Sequence, residues 1–206
     1  GTVEKFSRLG RPQNGVWLEN GIIYRNGREI MPAADIKIPG VHNIENYMAA
    51  ACATEGLVSD ADVDAVARNF GGVEHRIELV RELSGVKYYN DSIASSPSRT
   101  IAGLHSFPQK VILIAGGYDK HIPFDVLGPE ICAHVKTLVL CGATAGKIRA
   151  AVENAPEYRE GEPQILEANN LREAVELAKN AAVAGDIVTL SPACAAFDQF
   201  KNFAVR

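Results

Sequence analysis

The sequence predicts an α/β fold built on an open, mainly parallel β-sheet with helices on both faces. Three short segments, at 111–115, 138–140 and 187–190, are continuous apolar runs rather than alternating ones. Such runs are typical of strands that are buried on both faces, as in parallel sheets covered by helices. Helix-like segments separate the runs along the chain, so we expect a Rossmann-like domain from about residue 74 onward.

The first forty residues predict a small β-meander instead. Residues 16–19, 22–25 and 28–31 are strand-like runs, separated by Asn20-Gly21 and Asn26-Gly27. Both dipeptides suit type I′ turns, in which the two central residues take positive φ. Because strands of this size are marginal alone, we expect the meander to pack on another part of the protein.

Two helices follow the meander. We expect Asn43 to cap a helix that ends at Gly56. Ser59, followed by Asp62, opens a second helix, and Gly71-Gly72 ends it.

From residue 74 onward, strands and helices alternate, so we assign residues 74–206 to one domain and residues 1–73 to another. We expect strands at 77–83, 86–90, 111–115, 138–141, 164–166 and 187–190. We expect helices after Ser96-Pro97, at 124–134, 144–154 and 170–184, and a last helical segment around Phe197. Ligands of such sheets bind at the carboxyl ends of the strands.

Composition excludes several classes of protein. The 206 residues include 21 Lys and Arg against 25 Asp and Glu, which gives a formal net charge of −4. No basic surplus exists to neutralise a phosphate backbone, so we expect no nucleic-acid partner. No apolar stretch approaches the roughly 18 residues of a membrane span. The chain lacks an initiator methionine and a signal segment, so we expect Gly1 to mark an artificial or processing boundary.

The four cysteines, Cys52, Cys132, Cys141 and Cys194, lie far apart and form no C-x-x-C pair. No histidine stands beside them at the spacing of a zinc site. We therefore expect reduced thiols in a cytoplasmic protein and no metal site. Cys194 is either a nucleophile or a small buried apolar residue, and the absence of a histidine near it in sequence favours the second.

Polar side chains follow the predicted strands at the edge where ligands bind. Asp91 is either a turn residue or an acceptor for ribose hydroxyls. Lys120, after Gly116-Gly117, is either a solvated loop charge or a cation that holds a carboxylate or phosphate. Arg76, at the junction of the two domains, is either an exposed strand residue or a contact to phosphates.

Two common nucleotide-binding motifs are absent. Gly116-Gly117 does not continue into the G-x-G-x-x-G fingerprint of dinucleotide-binding domains. Residues 141–148 imitate a Walker A loop, but Cys141 replaces its first glycine and Ile148 its Ser or Thr. We therefore interpret Lys147 as a surface residue of a helix.

Four segments occur in the order found in one family of amide ligases. They are residues 40–46 (Gly-Val-His-Asn-Ile-Glu-Asn), Glu74-His75-Arg76, Asn90-Asp91-Ser92, and Gly116-Gly117 followed by Asp119-Lys120. Over nearly its whole length the chain resembles the Mur ligases of peptidoglycan synthesis. The ending at 190–203 is similar to that of the D-glutamate-adding branch, and the Asp-Asn-Pro-Arg motif of the diaminopimelate-adding branch is missing.

The resemblance implies an enzyme with a nucleotide-sugar domain, a central ATPase domain and a Rossmann-like C-terminal domain. Such enzymes use ATP and Mg²⁺ to form an acyl phosphate on a nucleotide precursor, and the amine of an incoming amino acid then attacks it. Residues 1–73 resemble the end of the central domain, and residues 74–206 resemble the C-terminal domain. We expect the phosphate loop and the Mg²⁺ ligands upstream of Gly1, so the 206-residue chain alone should be inactive.

The resemblance also implies the substrates UDP-N-acetylmuramoyl-L-alanine and D-glutamate, and a monomer in the bacterial cytoplasm that serves cell-wall biogenesis, cell shape and division. Three residues match ATP contacts: Asn46 on the adenine side, Arg76 at the phosphates and Asp91 at the ribose. Three match D-glutamate contacts: Ser95, Lys120 and the backbone of Phe203. No residue of the chain is assigned a catalytic or metal-binding role.

Two positions depart from the family pattern. Ile93 stands where a lysine near the phosphates is common, and Ala196 stands where some members use a serine for the substrate. The alternative is a non-enzymatic, Rossmann-like nucleotide-binding or regulatory module. Asp91 and Lys120, together with the ending, favour the ligase, because a regulatory module has no need of substrate contacts.

Overall fold

The chain divides into two compact units, Gly1–Gly72 and Val73–Arg206, in a computed structural model that describes residues 3–206. The division falls one residue before the boundary expected from the sequence. Each unit has its own sheet and its own apolar core. In the described part of the chain, no helix combines the length and the apolar character needed to cross a membrane.

A four-stranded sheet lies at the centre of the first unit. Strands β2 (Gly15–Glu19), β3 (Ile22–Arg25) and β4 (Arg28–Pro32) are antiparallel neighbours, which confirms the predicted meander. All four turn residues have positive φ, as type I′ turns require: Asn20, Gly21, Asn26 and Gly27. The sequence analysis missed β1 (Lys5–Ser7), which pairs in parallel with β2.

Two helices, α1 (Val41–Ala53) and α2 (Asp60–Asn69), supply the other half of this unit's core. Helix α2 begins with the expected cap. The Ser59 hydroxyl accepts from the Asp62 N–H, and the Asp62 carboxylate accepts from the Ser59 N–H. The buried apolar residues come from both layers: Val16, Ile23 and Met31 from the sheet, and Met48, Ala51 and Ala67 from the helices.

The cap expected at Asn43 is wrong. Helix α1 begins at Val41, directly after Gly40, whose φ of 104° is open only to glycine without strain. Asn43 lies inside the first turn, where its side-chain amide donates to the Pro39 carbonyl. The helix also ends at Ala53, before the predicted stop at Gly56.

A buried arginine joins the β-meander to the start of α2. The Arg25 side chain is 2% exposed, with Nε 3.1 Å from a Glu55 oxygen and Nη1 3.2 Å from an Asp60 oxygen. Arg28 contacts the same two carboxylates, but its side chain is 59% exposed. A buried charge depends on its partners far more than an exposed one, because water cannot replace them.

We expect Arg25→Ala to lower the free energy of unfolding of the first unit by about 3 kcal/mol or more, because it leaves two carboxylates without their buried partner. The matched variant Arg28→Ala should cost less than about 1 kcal/mol, since water screens its ion pairs. Urea unfolding followed by fluorescence of Trp17 measures both, because this single tryptophan is buried in the first unit. Equal losses in the two variants would contradict the role given to burial.

The second unit contains a six-stranded sheet in the order β5-β6-β10-β7-β8-β9. All neighbouring strands are parallel except β5, which is antiparallel to β6. This confirms the predicted α/β class with a mainly parallel sheet. The strands are β5 (Glu78–Leu83), β6 (Val86–Asn90), β7 (Val111–Ala115), β8 (Val135–Leu140), β9 (Gln164–Glu167) and β10 (Ile187–Leu190).

Helices cover both faces of this sheet, which explains why its central strands are apolar without alternation. They are α3 (Pro97–Leu104), α4 (Leu127–His134), α5 (Ala145–Glu153) and α6 (Leu171–Ala181). Along β7, Val111, Leu113 and Ala115 belong to the core cluster that contains residues of α3, α4 and α5. Ile112 and Ile114 belong to the cluster that contains residues of α6.

The helix predicted around Phe197 is wrong, and only one turn forms there, in which the Phe200 N–H donates to the Ala196 carbonyl. The backbone just before this turn is extended instead, because Ala195 pairs with Tyr118 as an isolated β-bridge. Ala193 also has a φ of 59°, which a helix cannot contain. Smaller differences concern α4, which begins at 127 rather than 124, and β8, which begins at 135 rather than 138.

Candidate functional site

The carboxyl ends of β6, β10 and β7 lie side by side and form the edge at which ligands of such sheets bind. The backbone ties these ends together beyond the strands. The Asp91 N–H donates to the Leu190 carbonyl, the Ser191 N–H to Ile114, and the Gly116 N–H to Pro192. The loops that leave the three strands therefore start from fixed positions.

Asp91 is buried at this edge, with only 4% of the residue exposed. Its Oδ2 accepts from the Ser191 hydroxyl at 2.7 Å, and its Oδ1 accepts from the Ile77 N–H at 3.3 Å. The Ser191 hydroxyl also lies 3.1 Å from that of Thr100, on α3. Both side-chain bonds of Asp91 are thus long-range contacts within the second unit, and its contact to a ribose stays a prediction.

Burial raises the pKa of Asp91 from 3.8 to about 6, because desolvation disfavours the charged carboxylate. The hydrogen bonds from Ser191 and Ile77 act in the opposite direction, as do the positive charges of Arg76 and Arg99. Desolvation is the largest of these effects. The pKa of this carboxyl group is therefore expected near 6 rather than near 4.

Helix α3 approaches this carboxylate through a glycine. A Cβ placed on Gly103 would lie 2.9 Å from Asp91 Oδ2 and 3.6 Å from Ser191 Oγ. Glycine is unfavourable inside a helix by about 1 kcal/mol relative to alanine. Gly103 is therefore explained by the close approach of the carboxylate and not by helix formation.

The loop after β7 places Lys120 at the same edge. Its first two residues, Gly116 and Gly117, have φ of 112° and 151°, and a Cβ on either would lie within 2.5 Å of a backbone oxygen. Asp119 then closes the loop, since its carboxylate accepts from the His121 N–H at 2.8 Å and pairs with Lys147 of α5. Lys147 is thus a helix-surface residue, as the sequence predicted.

The structure brings together two residues that the sequence analysis assigned to one ligand. Lys120 Nζ lies 3.2 Å from the Ser95 carbonyl oxygen and 3.4 Å from the Ser95 hydroxyl. Among residues 3–206, no carboxylate lies within ion-pair distance of Lys120, and the side chain is exposed. A cation and a hydroxyl therefore stand next to each other, facing solvent.

The C-terminal segment brings Phe203 to the loop that follows Asp91. The Phe203 carbonyl accepts from the Ser92 hydroxyl at 2.9 Å, and its ring meets the His75 ring edge-on at 5.8 Å. Arg76, next to His75, is exposed and has no carboxylate within ion-pair distance in the described chain. Arg76, Asp91 and Phe203 thus share one neighbourhood of the second unit.

Asn46 lies in the first unit, on α1, where it is exposed. Its side-chain amide donates to the Asn43 Oδ1 at 3.3 Å, and Asn43 in turn donates to the Pro39 carbonyl. This chain of bonds orients the Asn46 amide. Its contact to an adenine stays a prediction.

Arg206 is a structural residue that the sequence analysis missed. Its guanidinium donates to the Ser92 carbonyl at 2.6 Å, to the Ser92 hydroxyl at 3.0 Å and to the Cys194 carbonyl at 3.2 Å. It therefore joins the loop after β6 to the loop after β10. Nothing in the sequence around residue 206 signals this, because the contacts are long-range.

Ser191 was also missed as a partner of Asp91. The missing information is the strand order: β10 lies between β6 and β7, which brings a residue 100 positions away next to Asp91. No sequence pattern pointed to Arg99 as a neighbour of Asp91. Its positive charge lowers the pKa of Asp91, which shows that the two residues lie near each other.

Cys194 is a structural thiol rather than a nucleophile. It is 2% exposed, and its Sγ lies 3.0 Å from the Thr144 hydroxyl. Burial raises the pKa of its thiol to about 11, so the reactive thiolate is not formed near neutral pH. All four cysteines are free in this structure.

A family model described as "Mur ligase, glutamate ligase domain" matches residues 75–194. The chain belongs to the Mur ligase family. The matched region contains Arg76, Asp91, Ser95 and Lys120, whereas Asn46 and Phe203 lie outside it.

Close relatives of this Mur ligase chain share one name. A protein of Clostridium botulinum strain Hall named UDP-N-acetylmuramoylalanine–D-glutamate ligase is 50% identical over 206 residues. A protein of the same name from Clostridium beijerinckii is 51% identical. Each alignment covers all of this chain but 45% of the relative, so the chain spans less than half the length of these relatives.

Solved structures of related ligases show the same fold. UDP-N-acetylmuramate-alanine ligase of Thermotoga maritima matches with a TM-score of 0.64 at 15% identity, over 84% of this chain and 39% of that one. Folylpolyglutamate synthase of Mycobacterium tuberculosis, solved with ADP, matches with a TM-score of 0.61 at 16% identity, over 84% and 42%. At these identities the likeness describes architecture alone.

We expect Gly103→Ala to destabilise the second unit by up to about 2 kcal/mol, because overpacking against the Asp91 carboxylate outweighs the gain in helix propensity. Gly146→Ala, on α5, is the matched control, since a Cβ there meets no atom within 4 Å. That variant should leave stability unchanged or raise it by up to about 1 kcal/mol. Urea unfolding followed by far-ultraviolet circular dichroism compares the two, and a stabilising Gly103→Ala would disprove the close approach.

Proposed function

We propose that the chain is the C-terminal part of an ATP-dependent ligase that joins D-glutamate to UDP-N-acetylmuramoyl-L-alanine in peptidoglycan synthesis. The name shared by relatives at 50% identity supports this activity. In this proposal residues 1–72 end a central ATP-binding domain, and residues 73–206 form the C-terminal domain. The complete enzyme is a monomer in the bacterial cytoplasm.

The observation that carries the proposal is the pair formed by Lys120 and Ser95. Lys120 has no carboxylate partner among residues 3–206, whereas Lys147, one helix away, is paired with Asp119. An unpaired ammonium beside a hydroxyl offers two kinds of donor to a carboxylate. The pair also stands at the carboxyl edge of a parallel sheet, where ligands bind.

D-glutamate carries two carboxylates and must present a neutral amine to the acyl phosphate. In the proposed complex, Lys120 and Ser95 hold one carboxylate, and the backbone at Phe203 contacts the other. Holding both carboxylates orients the amine. The entropy lost in bringing the reactants together is then lost when D-glutamate binds and not in the reaction step. Neither contact uses the amine, so it stays free to attack.

ATP supplies the phosphoryl group that activates the carboxylate of the nucleotide precursor. We assign Arg76 to its phosphates, because this arginine is exposed and without a carboxylate partner in the described chain. We assign Asp91 to the ribose hydroxyls, because each of its carboxylate oxygens can accept a further hydrogen bond. We assign Asn46 to the adenine side, because its amide is oriented by Asn43.

Among residues 3–206, no group of three or more His, Cys, Asp or Glu side chains offers the all-oxygen ligands that Mg²⁺ prefers. Within residues 3–206, the group of three side chains close enough to share a metal is His105, Glu130 and His134. Two imidazoles do not suit Mg²⁺, which takes oxygen ligands. We therefore assign the Mg²⁺ of the proposed reaction no ligand from this chain.

We expect Lys120→Ala in the complete ligase to raise the KM for D-glutamate or lower kcat/KM by roughly 10- to 150-fold. The loss of a hydrogen bond to a charged group costs about 1.5 to 3 kcal/mol. The KM for ATP should change little, because Lys120 contacts only the amino acid. ATP-dependent formation of the amide product at varied D-glutamate measures the effect.

Lys179→Ala on α6 is the control, since this lysine is exposed and forms an ion pair with Glu176 at 3.7 Å. It should keep the kinetics of the unaltered enzyme. The 206-residue chain alone serves as the blank and should show no coupling. Normal D-glutamate kinetics in Lys120→Ala would remove Lys120 from the site. Coupling by the blank would contradict the prediction that phosphoryl transfer needs a phosphate loop outside the 206 residues.

A further inference from the structure

Two histidines and a glutamate meet at the side of the second unit away from the candidate site. His105 directly follows α3, whereas Glu130 and His134 lie one turn apart on α4. Both helices return the chain toward the amino ends of the strands, and β8 begins directly after His134. Lys120 and Asp91 follow carboxyl ends, so this cluster belongs to neither the ATP nor the D-glutamate site proposed above.

The three side chains converge on a common point. His105 Nε2 lies 2.6 Å from a Glu130 carboxylate oxygen, and His134 Nε2 lies 3.6 Å from the same oxygen. The two imidazole rings are 4.8 Å apart between centroids. One ligand atom from each residue lies within 4.8 Å of the other two. No other group of three or more such residues in the described chain meets this criterion.

A carboxylate that faces two imidazoles is more than an ordinary ion pair requires. Two elements bring them together: α4 holds Glu130 and His134 on one face at a spacing of four residues, and the end of α3 supplies His105. Their side chains are 31%, 35% and 50% exposed, so an ion and a water molecule can reach them.

We propose that His105, Glu130 and His134 form a site for Zn²⁺, with the fourth coordination position taken by water. Two imidazole nitrogens and one carboxylate oxygen are donors that Zn²⁺ accepts and that Mg²⁺ and Ca²⁺ do not prefer. With metal–ligand distances of about 2.0 to 2.2 Å, tetrahedral ligands stand about 3.3 Å apart. The two nitrogen–oxygen contacts of 2.6 and 3.6 Å bracket this separation, and all three ligand atoms lie within 4.8 Å of one another.

The bound ion would link the end of α3 to α4. Both helices pack against the same face of the sheet, and α3 also carries Gly103 and Thr100 beside Asp91. A ligand that binds the folded form alone stabilises it in proportion to the logarithm of its concentration. Zn²⁺ thus acts in this proposal as a link between two helices and takes no part in the ligase reaction.

The test is calorimetric titration of the tag-free, metal-free 206-residue chain with Zn²⁺. We expect one ion per chain with a Kd in the micromolar range, and His105→Ala and His134→Ala should each weaken binding at least about tenfold. Circular dichroism checks that both variants stay folded, which their exposed positions favour. With Co²⁺ in place of Zn²⁺, a visible absorption band of tetrahedral type should appear and be lost in either variant.

Two controls separate this site from other metal-binding side chains. His121→Ala removes a histidine that is 88% exposed and outside the cluster, and Cys52→Ser removes the one cysteine of the four that is not buried. Both should bind Zn²⁺ as the unaltered chain does. The proposal is overturned if the unaltered chain binds no Zn²⁺ below 0.1 mM (about a hundredfold weaker than expected), if both cluster variants keep full affinity, or if a control variant loses it.

Discussion

The edge of the second unit depends on one buried carboxylate, that of Asp91. It accepts hydrogen bonds from the Ser191 hydroxyl and the Ile77 N–H, and it lies against Gly103 of α3. A carboxylate taken out of water costs free energy that two hydrogen bonds offset only in part, as its raised pKa shows. In return, this one side chain fixes the ends of β6 and β10 and the position of α3 relative to them.

The positions of the neighbouring loops depend on hydrogen bonds at this edge. Ser92 directly follows Asp91, and Ser95 lies in the same loop. Ser92 accepts from Arg206 and donates to the Phe203 carbonyl, which attaches the C-terminal segment to this loop. On the other side, Gly116 bonds to Pro192, so the loop with Lys120 starts from a fixed point. The loops that carry Lys120 and Ser95 thus begin at buried hydrogen bonds. This arrangement is expected of a site whose side chains have little conformational freedom.

Much of this architecture follows from local sequence signals. Asn20-Gly21 and Asn26-Gly27 predict their turns because few other residues tolerate positive φ, and 111–115 predicts a central strand because both of its faces are buried. Ser95 and Lys120, which were assigned to one ligand, lie within hydrogen-bond distance of each other, and their binding role stays a prediction. The confirmed turns and the confirmed strand concern patterns that are local in sequence.

The failures concern long-range contacts. The insertion of β10 between β6 and β7 decides which hydroxyl meets Asp91, and no local pattern encodes strand order. Arg25 was assigned no role from the sequence, because its partners Glu55 and Asp60 lie far from it along the chain. The helix expected near Phe197 does not form, because pairing of Ala195 with Tyr118 holds its first residues extended.

The most direct test of the account is the pKa of the Asp91 carboxyl group, measured by carbon-13 NMR titration with Asp91→Asn as the assignment control. We expect a midpoint near 6, and a higher one in Ser191→Ala, which removes a hydrogen bond to the charged form. Because the folded state then holds the proton more tightly than the unfolded state, stability should fall as pH rises from about 4 to about 6. A midpoint near the ordinary value of 3.8, with no response to Ser191→Ala, would mean that Asp91 is solvated and organises nothing.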